Sequence, residues 1–431
     1  MDKRVDILIL LKHSGVEKTS AFLEIVKILN DKNIHVDVIV ASSSDDTDSY
    51  YYNADNITYT VLNKTRIVSI EKKYYKKFKQ TFLCQLMIKS YAYFKLFRKW
   101  LKYMHLCRSD SRNSYTYFLN DSMKKYRTNK KYDYIWVVDE YGLLWAKYLF
   151  EKCNISSKVI YHCLELYWEN YPQGKKNHWK EFEGAELIQE ARRALENVEL
   201  VIIQDEMRWK VLREYTGLPE KMRKIFFPVS IYDYKFDNDR INDTKVVLKD
   251  GMKSIFYPTL LEEKRGCIRL VHMAEDLGKE FEVVIHGFSG DRQYIEKIKR
   301  LAQNNSAFSF SNYSLNYEEL LILHQKIWCV FLYYGEENNN DAYIANSSNK
   351  LVMALQAGKP IITIGNHSLH ILCEEYKCGI SLRTWSKEEL NRAVNILKDN
   401  YYEYSENAYR CYKERFDSKL YADNLLQEIL K

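Results

Sequence analysis

Residues 328–365, WCVFLYYGEENNNDAYIANSSNKLVMALQAGKPIITIG, contain the pattern that decides the predicted fold. Residues 328–334 form a short continuous apolar run, typical of a strand that is buried on both faces. A polar loop with four asparagines follows, and Ser347, Ser348 and Asn349 then supply the N-cap of a helix. Gly358 ends that helix, and a second buried strand covers residues 361–364. The order strand, loop, helix, strand predicts a parallel α/β sheet.

The start of this helix is a candidate anion site. Its unpaired backbone N–H groups and the positive end of the helix dipole point the same way, out of the carboxyl edge of the sheet. Lys350 adds a cation at the same place. The alternative is an ordinary capped helix, because every α/β protein has several such helices and many of them bind nothing.

The order SSNKL…AGKPII resembles the donor-site segment of GT-B glycosyltransferases, specifically the family-4-like group (glycosyl transferases group 1). The resemblance implies that residues 347–350 hold the phosphates of a nucleotide-sugar. It also implies two Rossmann-like domains facing across a cleft, with a C-terminal helix that crosses back to the first domain. We place the N-terminal, acceptor-side domain at 1–235, the C-terminal nucleotide-sugar-binding domain at 252–405, and the returning helix at 406–431.

Size and composition agree with two globular domains. The 431 residues are 46% hydrophobic and 29% charged, and only 5 prolines and 14 glycines argue against linkers or low complexity. The nine cysteines are odd in number, scattered and without a CxxC pair, so a structural zinc site is not expected. No run reaches the roughly 18 apolar residues of a membrane span, and the N-terminus does not read as a signal peptide. These observations predict a cytoplasmic protein.

Residues 66–131 differ from the rest of the chain in charge. They hold 18 Lys and Arg against three acids, whereas the whole chain carries only +7. Aromatic residues recur among these cations at helical spacing, a pattern typical of a helix that lies on anionic lipid. We therefore predict a basic aromatic helical insertion and, through it, peripheral attachment to the inner face of the membrane. A solvated helix whose aromatic side packs in the domain core is the main alternative, and nucleic acid is not expected as a partner.

Candidate residues in the first half follow two strands. His13 and Gly15 lie in the loop after the first strand, and Gly15 would let the backbone approach a ligand. His162 and Glu165 follow the strand of residues 158–162. In the GT-B relatives the matching loop touches the sugar or the acceptor, although the family's histidine would fall on Leu164 here. If the enzyme inverts configuration, Glu165 or His162 would be the base for the acceptor hydroxyl.

Candidate residues in the second half surround the predicted diphosphate. Lys264 and Arg265 follow the first strand of that half and would neutralise the leaving group, with Lys264 the main candidate. The resemblance places Gly287 and Phe288 at the family's Gly-x-Gly turn. The chain departs from the family at the two acids expected near the ribose of the nucleotide, because the matching positions are Met353 and Ala345. Glu336, Glu337 or Asp341, in the loop before the helix, could supply the missing carboxylate.

The predicted function is transfer of a sugar from a nucleotide diphosphate, with a UDP-sugar the expected donor, to a glycan or lipid-linked acceptor in bacterial surface polysaccharide or glycoconjugate synthesis. The resemblance implies a retaining reaction, and the cations around the diphosphate would make a metal unnecessary. No cofactor other than the donor substrate is expected. The alternative is a sugar-nucleotide epimerase or a non-catalytic nucleotide-sugar-binding protein of the same fold, which the absent Glu at 353 favours.

Overall fold

The structure is a computed structural model that describes residues 4–12, 20–31, 33–41, 52, 54–62, 82–109, 111–170, 182–233, 245–288, 291–305, 307–313 and 315–431. The chain divides into two compact units, each built on one parallel sheet. The first comprises Met1–Lys18, Ile25–Phe226 and Leu426–Lys431, and the second Thr19–Glu24 and Phe227–Leu425. The predicted α/β class with two Rossmann-like sheets is confirmed.

The first unit has a seven-stranded sheet in the order β3-β2-β1-β4-β5-β6-β7. Its strands are β1 Val5–Leu11, β2 Ile34–Val40, β3 Ile57–Val61, β4 Tyr134–Val138, β5 Lys158–His162, β6 Val198–Ile203 and β7 Arg223–Phe226. Its helices are α1 Ser20–Ile28 (shared with the second unit), α2 Phe82–Ser109, α3 Asp121–Lys125, α4 Asp139–Cys153, α5 Phe182–Ala194 and α6 Glu206–Thr216, with 3₁₀ turns at Ser111–Phe118, Tyr167–Asn170 and Leu195–Asn197.

Continuous apolar runs explain the central strands of this sheet. Every residue of β4, YIWVV, is buried, because helices cover both faces of a parallel sheet. Successive strands are added on one side of β1 up to β3 and on its other side from β4 onward, so the strand order has its switch point between β1 and β4. These two strands pair in parallel, from Ile7 with Tyr134 to Leu10 with Val137. In open α/β sheets, ligands bind at the carboxyl ends of the strands beside such a switch point.

The basic insertion contains the predicted helix. Helix α2 runs for 28 residues, and Tyr103 on its inner side is buried, with its hydroxyl donating to Glu186 Oε2 at 2.7 Å. The rings of Tyr117 and Phe118 pack on Tyr103 with centroids 5.4 and 5.9 Å away. Residues 66–81 of the insertion lie outside the described part of the chain.

The second unit has a six-stranded sheet in the order β10-β9-β8-β11-β12-β13. Its strands are β8 Lys253–Leu260, β9 Phe281–Phe288, β10 Phe308–Ser311, β11 Cys329–Tyr333, β12 Ile361–Ile364 and β13 Gly379–Leu382. Its helices are α7 Cys267–Met273, α8 Arg292–Asn304, α9 Tyr317–Lys326, α10 Asn339–Ala342, α11 Asn349–Gln356, α12 His367–Tyr376, α13 Lys387–Asp399, α14 Tyr401–Arg415 and most of α15 Lys419–Leu430, with 3₁₀ turns at Glu263–Arg265 and Ala274–Asp276.

The stretch of residues 328–365 folds as strand, loop, helix and strand, as predicted. Strand β11 pairs in parallel with β12, from Val330 and Ile361 to Tyr333 and Ile364. Gly358 has a positive φ of 62°, which ends the helix in the backbone conformation that glycine adopts at least cost. The loop differs from the prediction, because Asn339 and Asn340 belong to a short helix, α10, whose N-cap Asn338 accepts from the Asp341 N–H.

The predicted returning helix, residues 406–431, is divided between the units, because the chain up to Leu425 groups with the second. Residues Leu426–Lys431 group with the first unit, where Glu428 Oε2 lies 2.7 Å from Arg223 Nη2. Ile429 is buried there, with 1% of its surface exposed. Across the described ranges, no helix combines the length and the apolar character needed to cross a membrane.

Candidate functional site

The candidate donor site occupies the carboxyl edge of the sheet in the second unit. Strands β8 and β11 are neighbours there although they are far apart in sequence, so the sheet order has its switch point between them. The 3₁₀ turn Glu263–Arg265 follows β8, Tyr334 follows β11, and helix α11 begins after the next loop. These three segments bring a cluster of cations and aromatic rings together.

Arg265 connects the first of these segments to the loop after β11. Its Nη1 lies 3.3 Å from Asp341 Oδ1, and both side chains are mostly buried, with 17% and 19% exposed. The Arg265 guanidinium also lies 5.9 Å from the centre of the Tyr334 ring. Two contacts therefore fix this cation at the carboxyl edge of the sheet.

Lys350, in the first turn of α11, is the second cation of the cluster. Its Nζ lies 5.7 Å from the centre of the Tyr334 ring. Burial, reinforced by Arg265, lowers the pKa of Lys350 to about 8, while Asp341 acts in the opposite direction. Burial first, and Lys350 second, lower the pKa of His286 to about 4, so this histidine is neutral at pH 7.

Ser348 caps the helix as its sequence position predicts. The Ser348 hydroxyl accepts from the Leu351 N–H at 3.2 Å and bonds the Tyr334 hydroxyl at 2.8 Å. Among the described residues, Ser347 Oγ is a buried polar atom without a hydrogen-bond partner. The start of α11 thus presents a hydroxyl, backbone N–H groups and a partly buried ammonium within one turn, which is a suitable arrangement for an anion.

The other predicted donor-site residues of this unit have different surroundings. The Lys264 side chain is 61% exposed and pairs with Glu262 at 3.3 Å, so its neighbour Arg265 makes the contacts with the cluster. Glu336 accepts a hydrogen bond from the His367 N–H, at the start of α12. Asn349 opens α11, and Phe288 ends β9 with 49% of its surface exposed.

Gly287 has a structural reason to be glycine. A Cβ at this position would lie 1.7 Å from the carbonyl oxygen of Thr259 on the neighbouring strand. The close approach of β8 and β9 therefore excludes any side chain at Gly287, whether or not the residue contacts a ligand.

The two positions where the resemblance expects ribose-binding acids are apolar and buried. Met353 has 4% of its surface exposed and Ala345 has 5%. The nearest carboxylates described in the loop after β11 are those of Glu336, Glu337 and Asp341, of which Asp341 already pairs with Arg265.

A second candidate site lies at the carboxyl edge of the sheet in the first unit. Asp139 follows β4 directly and has a positive φ of 54°, a backbone conformation that is costly for residues other than glycine. Its Oδ1 accepts from the N–H groups of Leu164 at 3.1 Å and Glu165 at 3.4 Å, in the loop after β5. Asp139 thus joins the ends of two neighbouring strands beside the switch point.

Burial raises the pKa of Asp139 to about 7, with the nearby Glu165 carboxylate as the second cause. Burial and the adjacent Asp139 also raise the pKa of Glu140 well above its usual range. Glu140 Oε1 accepts from the Tyr161 hydroxyl at 3.3 Å. Carboxyl groups with raised pKa values at the carboxyl edge of a sheet can hold a proton near pH 7, which suits acid–base chemistry.

Of the predicted residues in this unit, Glu165 is exposed and His162 is buried. Only 2% of the His162 surface is exposed, and burial lowers its pKa to about 3. Its ring lies 6.0 Å from that of Trp136, in an edge contact. His13 and Gly15 lie outside the described residues. The structure therefore brings Glu165, but not the His162 ring, to the surface of the carboxyl edge.

A buried arginine holds the loop that carries Glu165. Arg208 is fully buried; its Nη2 donates to the carbonyl oxygen of Leu164 at 3.0 Å and its Nε to Gln204 Oε1 at 2.6 Å. Gln204 in turn donates to the carbonyl oxygen of Cys163 at 3.0 Å. No group of three or more potential ligands that could bind a metal occurs in the part of the chain that the structure describes.

The sequence pattern did not indicate Asp139, Glu140 or Tyr334 as site residues. It also did not indicate that Asp341 pairs with Arg265. The available signal for Asp139 and Glu140 was a pair of acids placed directly after a buried strand, at an edge where ligands bind. Tyr334 followed its strand in the same way. Their partners come from loops distant in sequence, which a linear pattern does not reveal.

Comparison with solved structures identifies the fold. The chain is similar to HepE from Anabaena, crystallised with UDP and glucose, with 13% identity, 99% of each chain covered and a TM-score of 0.60. The chain has the GT-B fold. Sucrose-phosphate synthase from Thermosynechococcus elongatus is similar at 12% identity over 98% of each chain, with a TM-score of 0.60. WaaG, a glycosyltransferase involved in lipopolysaccharide biosynthesis, is similar at 13% identity over 99% of each chain, with a TM-score of 0.57. Neither a protein-family model nor a curated protein sequence matches the chain.

Proposed function

We propose that the protein is a glycosyltransferase that moves a sugar from a nucleotide diphosphate donor to a glycan or lipid-linked acceptor. The observation that carries this proposal is the partly buried Lys350 ammonium at the start of α11, beside Arg265 and the Ser348 cap. A partly buried ammonium and a mostly buried guanidinium at a helix start form a positive site that favours a diphosphate. The GT-B fold supports the same chemistry.

The positive cluster would act on the leaving group. When the bond between the sugar and the diphosphate breaks, negative charge builds up on the phosphate oxygens. Arg265, Lys350 and the N–H groups of α11 would stabilise that charge, and their positions are fixed before the reaction by Asp341 and Tyr334. This arrangement supports transfer without a metal. Lys264, being exposed, would contribute by long-range attraction.

The donor we propose is a UDP-sugar, and the reaction a retaining transfer. Similarity to HepE, whose structures contain UDP and UDP-glucose, supports the nucleotide. Similarity to WaaG, involved in lipopolysaccharide biosynthesis, supports a role in bacterial surface polysaccharide or glycoconjugate synthesis on the cytoplasmic side. If the reaction inverts configuration, the exposed Glu165 is the proposed base for the acceptor hydroxyl, with the neighbouring Asp139 as its proton partner.

One observation favours a second candidate function. Met353 and Ala345 are buried and apolar where the resemblance expects the acids that hold the ribose. A protein of this fold that binds or epimerises a nucleotide-sugar without transferring it would tolerate that loss. Glu336, which sits in the loop after β11, is our proposed replacement for the ribose contact.

A thermal-shift screen with UDP-, GDP-, ADP- and dTDP-sugars tests donor binding, because a ligand that binds the native state raises Tm by mass action. The Arg265→Gln variant should weaken donor binding by roughly tenfold to a hundredfold, the usual effect of losing a charged hydrogen bond. Lys264→Gln, next to it and exposed, is the matched control and should change affinity less than threefold.

The same proteins then distinguish transfer from binding alone. Incubation with the donor and a membrane extract should yield a labelled glycan or glycolipid that the Arg265→Gln variant forms much more slowly. Donor binding without labelled product, or with an epimerised donor, would favour the second function. Equal effects of the Lys264 and Arg265 substitutions would contradict the site proposed here.

A further inference from the structure

The outer face of helix α2 carries exposed apolar and basic side chains on the same helix. Tyr93, Phe94, Phe97 and Leu101 have 48%, 57%, 43% and 47% of their surfaces exposed. The helix sequence contains six Lys and Arg and no acid. Exposed residues of this kind at successive turns form a contiguous patch, which a soluble surface rarely presents without a partner.

The arrangement around the helix axis separates this patch from the side that packs on the first unit. At 3.6 residues per turn, Leu101 and His105 point within about 20° of Phe94, whereas Tyr103 points roughly opposite. Tyr103 is the buried residue that bonds Glu186. The helix is therefore anchored by one side, and its apolar outer residues are not needed to form the core.

The charged residues flank the apolar ones. Arg98 and Lys102 are exposed and lie on one side of Phe94 in the helical projection, and Phe97 and Tyr93 lie on the other. Arg108 is exposed near the C-terminal end. A helix of 28 residues is about 42 Å long, so these groups can contact a flat surface together.

We propose that the outer face of α2, comprising Phe94, Phe97, Arg98, Leu101, Lys102 and Arg108, docks the protein on a bilayer rich in anionic phospholipid. The apolar side chains enter the boundary between headgroups and acyl chains, while the cations pair with the lipid phosphates. The absence of acids along the helix sequence, with cations placed beside the exposed apolar residues, favours an anionic lipid surface over a protein interface, whose core is depleted in charged residues. This inference does not depend on the proposed glycosyl transfer.

Docking would also give the proposed transfer reaction access to a lipid-linked acceptor. A helix lying in the plane of the interface keeps the protein at the surface without spanning the membrane. The described helices include none suited to span it.

Vesicle flotation of the full-length protein tests the proposal, with phosphatidylcholine vesicles containing either no phosphatidylglycerol or about a third of it, a composition chosen to give a strongly anionic surface. We expect binding to the anionic vesicles only, weakened by high salt. The Arg98→Gln/Lys102→Gln/Arg108→Gln variant should lose about a hundredfold in the vesicle partition constant, since each cation near an anionic membrane contributes about one tenfold step or less.

The apolar contribution needs its own variant and controls. Phe94→Ser/Leu101→Ser should lower vesicle binding at high salt as well as at low salt, because the apolar contact is not screened. The matched charge control is Arg292→Gln/Lys297→Gln/Arg300→Gln on α8, where the three cations are also exposed; this variant should bind vesicles like the wild type. Because the replaced residues are exposed, thermal melts of all variants should stay near the wild-type Tm.

Three results would overturn the proposal. Equal binding to neutral and anionic vesicles would remove the electrostatic role of the cations. Equal loss of binding in the α2 and α8 charge variants would show general charge attraction rather than a docking face. Failure to bind any vesicle, with salt-sensitive binding to a single-stranded oligonucleotide instead, would assign the face to nucleic acid. Loss of donor binding, by contrast, would leave this proposal intact.

Discussion

The raised pKa of Asp139 predicts a measurable pH dependence of stability in the first unit. The pKa is about 7 in the folded protein, against an ordinary value of 3.8, so the folded state holds a proton that the unfolded state releases. Stability from this group is therefore greatest below pH 3.8 and is lost as pH rises toward 7. Above pH 7 the ionised carboxylate, which is largely withdrawn from solvent, should destabilise the fold by about 4 kcal/mol relative to a neutral group.

Asp139→Asn replaces the carboxyl with a neutral amide of the same shape. Its Oδ1 can still accept from the Leu164 and Glu165 N–H groups, and asparagine tolerates the positive φ of 54° at this position. The variant should be more stable than the wild type at pH 8. The difference should shrink by about 2 kcal/mol on lowering the pH to 5.5, because the wild type gains most of a proton over that range.

Urea unfolding at pH 5.5 and 8, followed by tryptophan fluorescence, measures this difference. Trp136, Trp145 and Trp168 are buried in the first unit and report on its unfolding. Asp37→Asn is the matched control. Burial acts to raise the pKa of Asp37, but hydrogen bonds from Lys130 and Tyr132 outweigh it and lower this pKa below 3.8. Stability from Asp37 itself is lost only below pH 3.8, so this control should change much less than Asp139→Asn between pH 5.5 and 8. His35 Nε2, 3.3 Å from Asp37 Oδ1, is the source of any remaining change.

A stability difference between Asp139→Asn and the wild type that stays constant from pH 5.5 to 8 would refute this reasoning. It would mean that Asp139 is ionised in the folded protein throughout that range, and that its burial is compensated by contacts stronger than the two N–H bonds. The proposal that Asp139 exchanges a proton with Glu165 near neutral pH would then be withdrawn as well.

Two further predictions concern the second unit. Lys350, with a pKa of about 8, is charged below that pH and neutral above it, so donor affinity measured by calorimetry should fall as pH rises from 7 to 9. The Lys350→Gln variant should bind the donor roughly tenfold more weakly at pH 7, and its affinity should depend less on pH. If the variant keeps the wild-type pH dependence, another group is responsible for the titration. Gly287→Ala should destabilise the second unit by about 3 kcal/mol or more in urea unfolding, because the new methyl group would lie 1.7 Å from the Thr259 carbonyl oxygen. Gly251→Ala in the same unit, at a positive φ of 74° with open space around it, is the control and should cost about 1 kcal/mol. Equal losses would show that the contact between the two strands is relieved at little cost.

The sequence predicted the parts of the fold that depend on local pattern. Buried strands such as β1 and β4 are continuous apolar runs, which helices on both faces of a parallel sheet require. The cap of α11 was readable because Ser348 must bond a backbone N–H three residues on, and it does. These features are determined by neighbours in the chain.

The choice between Lys264 and Arg265 could not be made in the same way. Both residues lie in a 3₁₀ turn, in which successive side chains point about 120° apart. If the turn began one residue earlier or later, the other cation would face the edge of the sheet. The turn ends at Gly266, which has a positive φ of 66°. The side chain that reaches Asp341 is Arg265, a partner 76 residues away that no local pattern indicates.

Asp139 was missed for a related reason. Two acids at the end of a buried strand, Asp139 and Glu140, are read as the point where the strand meets solvent. The burial of Asp139 comes from the loop after β5, which folds over it and is held in place by Arg208 from yet another helix. The unusual pKa is thus produced by three segments that meet only in the folded unit, although the positive φ at Asp139 marks the position once the structure is known.

The electrostatics of Lys350 provide the strongest physical reason to expect an anion at the start of α11. Burial and the neighbouring Arg265 both disfavour the charged ammonium, and the Asp341 carboxylate, which already pairs with Arg265, compensates only in part. Two cations that share one carboxylate in a mostly buried cluster destabilise the folded unit on their own. A diphosphate would reverse both effects, because it would raise the pKa of Lys350 and supply acceptors to Arg265. Donor binding at pH 8 should therefore take up protons from solution, and calorimetry in buffers of different ionisation enthalpy would measure that uptake. Binding of a nucleotide-sugar without proton uptake at this pH would place the diphosphate away from Lys350.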